Sequence, residues 1–291
     1  MRPRHGQTLT VTRPGRWVLI LLRLSWPLLS RLSWPLLPRS SWPRWRGLAA
    51  VAGIAATLVL ALVGAAAPRT AAAPRTRAAA PARAAALRTS CSSVAHIGDS
   101  TSVDLISSAD LPDPAQQLPA RYADVGVRHL QIDASGGRSI VETLPGQVNG
   151  YNVALSWWNE GYRGCWVFAL GTNDAANVAA GSSVGMMARI QEMMSVAHGE
   201  PVMWVNTVTQ LSSGPYAEAN EQRWDDTLLR ALAMYPNMRI FDWAAVAQPS
   251  WFLTDGIHYN SAGCAARAQA IADALAQAFP LYGHSRSPIV R

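Results

Sequence analysis

The chain has 291 residues, of which 49% are hydrophobic and 15% charged, enough for one sizeable domain with additional segments. Every basic residue is arginine; 14 of the 25 fall in residues 1–90, where there is no acid, while residues 91–291 carry the other 11 and all 18 acids. The overall charge of +7 therefore belongs to the N-terminus, and the mildly acidic remainder excludes a nucleic-acid function argued from whole-chain charge.

Residues 1–46 are basic and rich in Trp and Pro, with a short repeat at Leu24–Arg31 and Leu32–Arg39 and a degenerate third copy from Ser40 to Arg46. Proline at this density prevents a long continuous helix. Arginine with tryptophan suits the water–lipid boundary; the alternatives are a tail without fixed structure or a start site placed too early. Residues 47–66 run twenty positions without a charge, long enough to span a bilayer as a helix. The arginines before them predict a cytoplasmic N-terminus and an exported C-terminus. Ala65-Ala66-Ala67 also fits a signal-peptidase site. The run is thus either an uncleaved anchor or a signal segment with a long leader, and both export the rest of the chain. Residues 67–90 are almost only Ala, Pro, Arg and Thr and read as an extended, semi-rigid spacer.

Residues 91–281 are expected to form the globular domain, with a C-terminal tail over 282–291. Apolar strands are predicted at 92–97, 127–132, 165–170, 202–206 and 238–241. Helices are expected over 184–197, 217–234 and 262–279, the last with Ala266, Ala270, Ile271 and Leu275 on its buried face. Strands alternating with helices imply an α/β fold with a parallel sheet covered on both faces. In such sheets ligands bind at the carboxyl ends of the strands.

Three motifs come directly after predicted strands: Gly98-Asp99-Ser100, Gly136-Gly137-Arg138 and Gly171-Thr172-Asn173-Asp174. A fourth, Asp255-Gly256-Ile257-His258, precedes the last helix. Each alone is weak, since such turns and caps are common; together and in this order they supply the parts of serine-dependent acyl chemistry. Ser100 is the candidate nucleophile, a hydroxyl that needs a neighbouring base to take its proton. His258 is the candidate general base and acid, and Asp255, three residues earlier, would orient its imidazole. Preorganised donors must meet the developing oxyanion: the backbone N–H of Ser100, the backbone N–H of Gly137 (with Gly136 its rival) and the side-chain amide of Asn173. Asp99 and Asp174 read as turn and cap residues, and His96 as a strand residue satisfied within the structure. No residue cluster has metal-ligand spacing, and no cofactor is implied. The Gly-x-Ser-x-Gly elbow of ordinary α/β-hydrolases is absent.

These blocks resemble those of the SGNH (GDSL) hydrolase superfamily, over residues 91–281. The resemblance implies a three-layer α/β/α flavodoxin-like sandwich with about five parallel strands. It implies Ser100, His258 and Asp255 as catalytic triad and Gly137 and Asn173 as oxyanion donors. One departure is Asp104, where many members carry glycine four residues after the serine; an acid there would disfavour anionic acyl groups or face solvent. In a flavodoxin-like order the first and third strands are neighbours, and Cys91 and Cys165 start them at similar height. A Cys91–Cys165 disulfide is therefore expected, with Cys264 free; three buried thiols are the alternative. Trp157, Trp158 and Trp251 either line a substrate groove or pack internally, and Trp251, just before the Asp255 loop, is the best groove candidate.

The functional expectation is an exported serine esterase acting on O-acyl esters of cell-envelope glycan or lipid. An O-acyltransferase using the same triad on a cell-wall sugar is the alternative, since some exported relatives of the superfamily act beside a multi-span membrane acyltransferase as partner. A binding module with an intact triad is the third reading. A nucleic-acid partner is argued against by the apolar run that exports the domain.

Overall fold

In the computed structural model the described residues are 87–285 and 287–291. The readings made for residues 1–46, for the apolar run at 47–66 and for most of the 67–90 spacer lie outside them. The chain opens with β1 (Ser93–Gly98) and α1 (Ser100–Val103), followed by α2 (Leu118–Asp124), β2 (His129–Ala134) and α3 (Gly150–Asn159). It continues through β3 (Cys165–Ala169), α4 (Thr172–Ala179), α5 (Met186–Ala197), β4 (Val202–Val205), α6 (Glu218–Leu232), β5 (Met238–Phe241), α7 (Ser261–Ala278) and β6 (Ile289–Val290).

Among the described residues the six strands pair in parallel, in the order β2-β1-β3-β4-β5-β6. The interior strands are buried on both faces, as parallel strands under helices must be. Alternate residues face opposite sides. Val94, Val167, Met203 and Phe241 join α2 and α7 in one core; Ala95, Phe168, Trp204 and Ile240 join α3, α4, α5 and α6 in the other. Aromatic rings dominate the second core: Trp166, Phe168, Trp204 and Trp224 succeed one another at centroid separations of 5.8, 5.2 and 6.0 Å, within the range of favourable tilted and edge contacts.

Chain direction changes sides at β1 and β3. From β1 the chain crosses to β2 on one flank, and from β3 it proceeds to β4 on the other. The crevice outside the carboxyl ends of β1 and β3 is thus the topological switch point where doubly wound sheets bind ligands.

The sheet has six strands rather than about five. The sixth lies within the segment expected to be a tail: Ile289 and Val290 pair with Ile240 and Phe241, and Val290 is buried. Two residues are too short to show a strand period in sequence; the free edge of β5 supplies the pairing. The buried face of α7 also differs from expectation. Ala266 and Ala270 are only partly buried, while Cys264, Arg267, Ala268, Ile271 and Leu275 point inward.

Cys91 and Cys165 are joined in a disulfide with Cα atoms 5.7 Å apart, closing a sequence separation of 74, and Cys264 is a free, buried thiol. Closing so long a loop restricts the unfolded chain strongly. Replacing both bridged cysteines by alanine is expected to lower stability by about 2–4 kcal/mol, seen as an earlier urea midpoint; an unchanged midpoint would assign the bridge no role in stability.

Candidate active site

The turn bearing Ser100 begins where β1 ends. A side chain at Gly98 would place its Cβ 2.2 Å from Ser102 Oγ, so only glycine lets the chain turn tightly into α1. Asp99 caps that helix: its Oδ1 accepts from the Thr101 N–H at 2.9 Å and from the Thr101 hydroxyl at 2.7 Å. The Asp99 carboxyl is buried, and burial pushes its pKa up, opposed by the Thr101 bonds and by the charges of Arg267 and His258. Arg267 on α7 is itself buried, donates from Nη2 to Thr101 Oγ1 at 3.4 Å and lies over the rings of Trp243 and Tyr259 at 5.0 and 5.4 Å. Behind the turn, His96 Nε2 is 3.1 Å from Ser102 Oγ and its Nδ1 2.9 Å from the Tyr122 hydroxyl. Burial, reinforced by Arg267, lowers the His96 pKa to about 3. It is a neutral strut beneath α1.

Ser100 Oγ faces the imidazole of His258: Nε2 lies 2.8 Å away, and Nδ1 lies 2.7 Å from Asp255 Oδ2. Asp255 Oδ1 accepts from the backbone N–H groups of Ile257 and His258 at 2.9 and 3.0 Å, so one oxygen shapes the turn while the other holds the ring. Burial pulls the Asp255 carboxyl upward, but the Ile257 N–H, the imidazole and the His258 N–H outweigh it and hold its pKa below the ordinary value. An ionised Asp255 fixes Nδ1 as the protonated nitrogen and leaves Nε2 to accept the Ser100 proton.

Asn173, in the first turn of α4, stands across the switch point and is buried. Its Nδ2 donates to the Arg138 carbonyl at 3.0 Å, and its Oδ1 accepts from the Tyr216 hydroxyl at 3.0 Å. Gly137 has φ +70°, a left-handed conformation that favours glycine; Gly136 has no such requirement. Among the described residues, no hydrogen bond within the protein engages the backbone N–H of Ser100, of Gly136 or of Gly137. The Gly136–Arg138 loop is fixed by the Arg138 guanidinium, which donates to the carbonyl and carboxylate of Asp133, each at 2.7 Å, and to the carbonyls of Val148 and Gly98 at 3.1 and 3.4 Å.

Asp174 is not a helix cap. Its Oδ1 accepts from the Ile140 N–H at 2.9 Å and from Arg189 Nη1 at 2.8 Å, in an ion pair whose two side chains are 0% exposed. Burial raises its pKa to about 7 against the pull of the Ile140 N–H and of Arg189. Arg189 also pairs with Glu142, which accepts further bonds from Ser139, Asn177 and Ser182. The cluster ties the glycine loop to α4 and α5. No motif announced it, because Glu142 and Arg189 are 47 residues apart and each is ordinary in its own segment.

The remaining candidates separate. Asp104 is the C-cap of α1 and half-buried; burial first, then Asp110, raises its pKa, opposed by His258. Trp251 stacks on buried Trp243 with centroids 5.8 Å apart. Trp157 and Trp158 end α3 just before β3 begins, at the amino end of the strands, opposite the end where the site lies, and Trp158 stacks there on His198 at 4.2 Å. They do not line a groove at the site. Burial raises the Cys264 thiol to about 12, which leaves it inert as a nucleophile. No group of three or more His, Cys, Asp and Glu side chains among the described residues could hold a metal ion.

No family model and no curated protein matches the chain. Among solved structures it is similar to the C-terminal catalytic domain of Streptococcus pneumoniae peptidoglycan O-acetyltransferase A, with 17% identity over 63% of this chain and 89% of that one and a TM-score of 0.45. It is similar to a carbohydrate acetylesterase family member from Sinorhizobium meliloti, with 14% identity over 62% and 95% and a TM-score of 0.49. It is also similar to a lipase/acylhydrolase from Enterococcus faecalis, with 13% identity over 66% and 99% and a TM-score of 0.47.

Removing Arg189 leaves the carboxyl of Asp174 buried without its partner. Asp174, whose pKa burial has already raised to about 7, can then take up a proton instead of staying charged, so Arg189→Met is expected to cost about 1–3 kcal/mol near neutral pH, measured by denaturant unfolding. The bond from Arg189, against the opposing effect of burial, holds Glu142 well below the usual carboxylate range. Its contribution is therefore present above the ordinary Glu value of 4.5 and is lost as pH falls through the depressed value. The gap between parent and variant should narrow in strong acid; a gap independent of pH would show that Glu142 gains nothing from the pair.

Proposed function

We propose that this chain is an exported serine ester hydrolase of the SGNH type, cleaving O-acyl esters of envelope glycan or lipid. The observation that carries the chemistry is the unbroken chain Asp255–His258–Ser100, with contacts of 2.7 and 2.8 Å, at the switch point of a parallel sheet.

The reaction runs in two halves. Ser100 Oγ attacks the ester carbonyl carbon as His258 Nε2 takes the hydroxyl proton, and the carbonyl oxygen becomes an oxyanion. As that intermediate collapses, the carbon–oxygen bond to the alcohol breaks and His258 returns the proton to the leaving oxygen. Water then attacks the acyl-enzyme with His258 again as base, and Ser100 recovers its proton when the acid leaves. Asp255 keeps its own charge throughout and stabilises the imidazolium. The N–H groups of Ser100 and Gly137 and the amide of Asn173 are the oxyanion donors in this reading. Donors fixed before reaction need no reorganisation when charge develops.

The side chains of His258 and Asp255 are 33% and 47% exposed. A base and carboxylate so near the surface suit a bulky glycan or lipid ester presented from outside better than an acyl chain threaded into a tunnel. Half-buried Asp104, close enough to His258 for their charges to interact, disfavours an anionic acyl group through like-charge repulsion. Placement outside the cytoplasm rests on the uncharged run at 47–66.

The test is release of p-nitrophenol from the acetate, butyrate and octanoate esters. Turnover should fall at least about 10³-fold in Ser100→Ala and His258→Ala, and by about 10²–10³-fold in Asn173→Ala. Equal rates in the parent and Ser100→Ala would remove the serine mechanism. A rise in p-nitrophenol release on adding a sugar-hydroxyl acceptor would move the reaction from hydrolysis to acyl transfer.

A further inference from the structure

One residue at the site belongs to none of the four motifs. Tyr216 lies on the loop between β4 and α6, half-buried, and its hydroxyl reaches Asn173 Oδ1 at 3.0 Å. The direction of that bond is fixed by its neighbour. The Arg138 carbonyl can only accept, so the atom facing it at 3.0 Å must be the amide nitrogen of Asn173. The oxygen of the amide then faces Tyr216, and the phenol must donate. One N–H of Asn173 is spent on Arg138; among the described residues the other has no protein acceptor.

We infer that Tyr216 is a positioning residue for the oxyanion: by donating to Asn173 Oδ1 it locks the side-chain amide with its remaining N–H toward the reacting carbonyl oxygen and strengthens that N–H as a donor. This inference rests on the serine-esterase reading above. Hydrogen bonds in series polarise one another, so a proton placed on the amide oxygen makes the amide N–H a better partner for developing negative charge. The gain is small toward a neutral ester carbonyl and larger toward an oxyanion, which is the differential that lowers a barrier.

The loop is built to hold Tyr216 still. Thr209 Oγ1 donates to the Tyr216 carbonyl at 2.7 Å, the Glu218 carboxylate accepts from the Thr209 N–H at 2.8 Å, and the Glu218 N–H donates to the Leu211 carbonyl at 2.8 Å. The same loop reaches the base: the Gln210 N–H donates to the Gly256 carbonyl at 2.8 Å, within the Asp255–His258 turn. One segment therefore braces both the acid–base side and the oxyanion side. The Tyr216 hydroxyl is also kept protonated, since burial, with the charges of Asp99 and Glu221 added, raises its pKa further above 10.

The test is a double-mutant cycle on the full chain, with p-nitrophenyl acetate as substrate and Tyr216→Phe, Asn173→Ala and the double variant compared with the parent. Phenylalanine keeps the ring and removes only the donor. The expected result is a loss of about tenfold in kcat for Tyr216→Phe, smaller than for removing the direct donor, with KM within about twofold and the thermal midpoint unchanged. In the Asn173→Ala background Tyr216→Phe should cost nothing further. A kcat equal to the parent, or an equal loss with and without Asn173, overturns the positioning role while leaving the esterase reading standing. Absence of Ser100-dependent turnover in the parent overturns the esterase reading, and this inference with it.

Discussion

Parallel pairing of β1 with β3 is the constraint on which the rest of the molecule depends. Gly98 lies opposite Ala169 in the register, and the Asp99 N–H reaches across to the Ala169 carbonyl at 3.4 Å. Because the two strands run the same way and finish level, the turn bearing Ser100 and the helix bearing Asn173 emerge side by side. Because their crossovers leave on opposite flanks, nothing of the sheet itself fills the space above them. The disulfide at the other end of the same pair, between Cys91 and Cys165, fastens these two strands covalently. Ser100 and Asn173, far apart in sequence, thus become neighbours through backbone geometry alone.

Three buried arginines hold the loops around that gap. Arg267 bonds to Thr101, which in turn bonds to Asp99 at the turn bearing Ser100. Arg138 ties the glycine loop to the ends of β1 and β2. Arg189 pairs with Asp174 beside Asn173 and with Glu142 at the far end of the glycine loop. Their exposures are 4, 5 and 0%. Burying a guanidinium is costly unless its donors are met and its charge is paired, so Arg138 and Arg189, each paired with a carboxylate, stabilise few backbone arrangements other than the native one; Arg267 instead lies over Trp243 and Tyr259, with Nε and Nη1 buried and, among the described residues, unbonded. Apolar packing is indifferent to small displacements of a loop; a fork of N–H donors such as that of Arg138, bound to three carbonyls and a carboxylate, is not. Asp99 and Asp174, which sit within the candidate motifs beside Ser100 and Asn173, are the carboxyl ends of two of these connections.

Much of the plan was legible in residue order. Runs such as Cys-Trp-Val-Phe-Ala carry no polar residue, which only a strand covered on both faces tolerates, and the positions of β1 to β5 were readable to within two residues from that signal. The Asp255–His258 pair was legible because both members lie in one turn. Illegible features have a common cause: their partners are distant in sequence and ordinary in isolation. A two-residue strand such as β6 shows no period, and an arginine at position 267 of a helix looks solvated until Trp243 and Tyr259 are seen beneath it. Trp157 and Trp158 showed their chemistry in the sequence without their end of the sheet, which depends on where α3 stops.

The sequence by itself determined the candidate residues and their order along the chain: a serine, a glycine loop, an asparagine and an Asp–His pair, three of the four placed just after apolar strands. That information is local, written in residue type and short spacing. Only the tertiary structure decided the strand order that opens the crevice, the choice between Gly136 and Gly137 as the position whose backbone requires glycine, and the buried arginines that fix the loops. It alone placed Tyr216 against Asn173. Those are relations between segments that share no local pattern, and the free energy that selects them comes from burial and pairing across long separations, which residue order does not display.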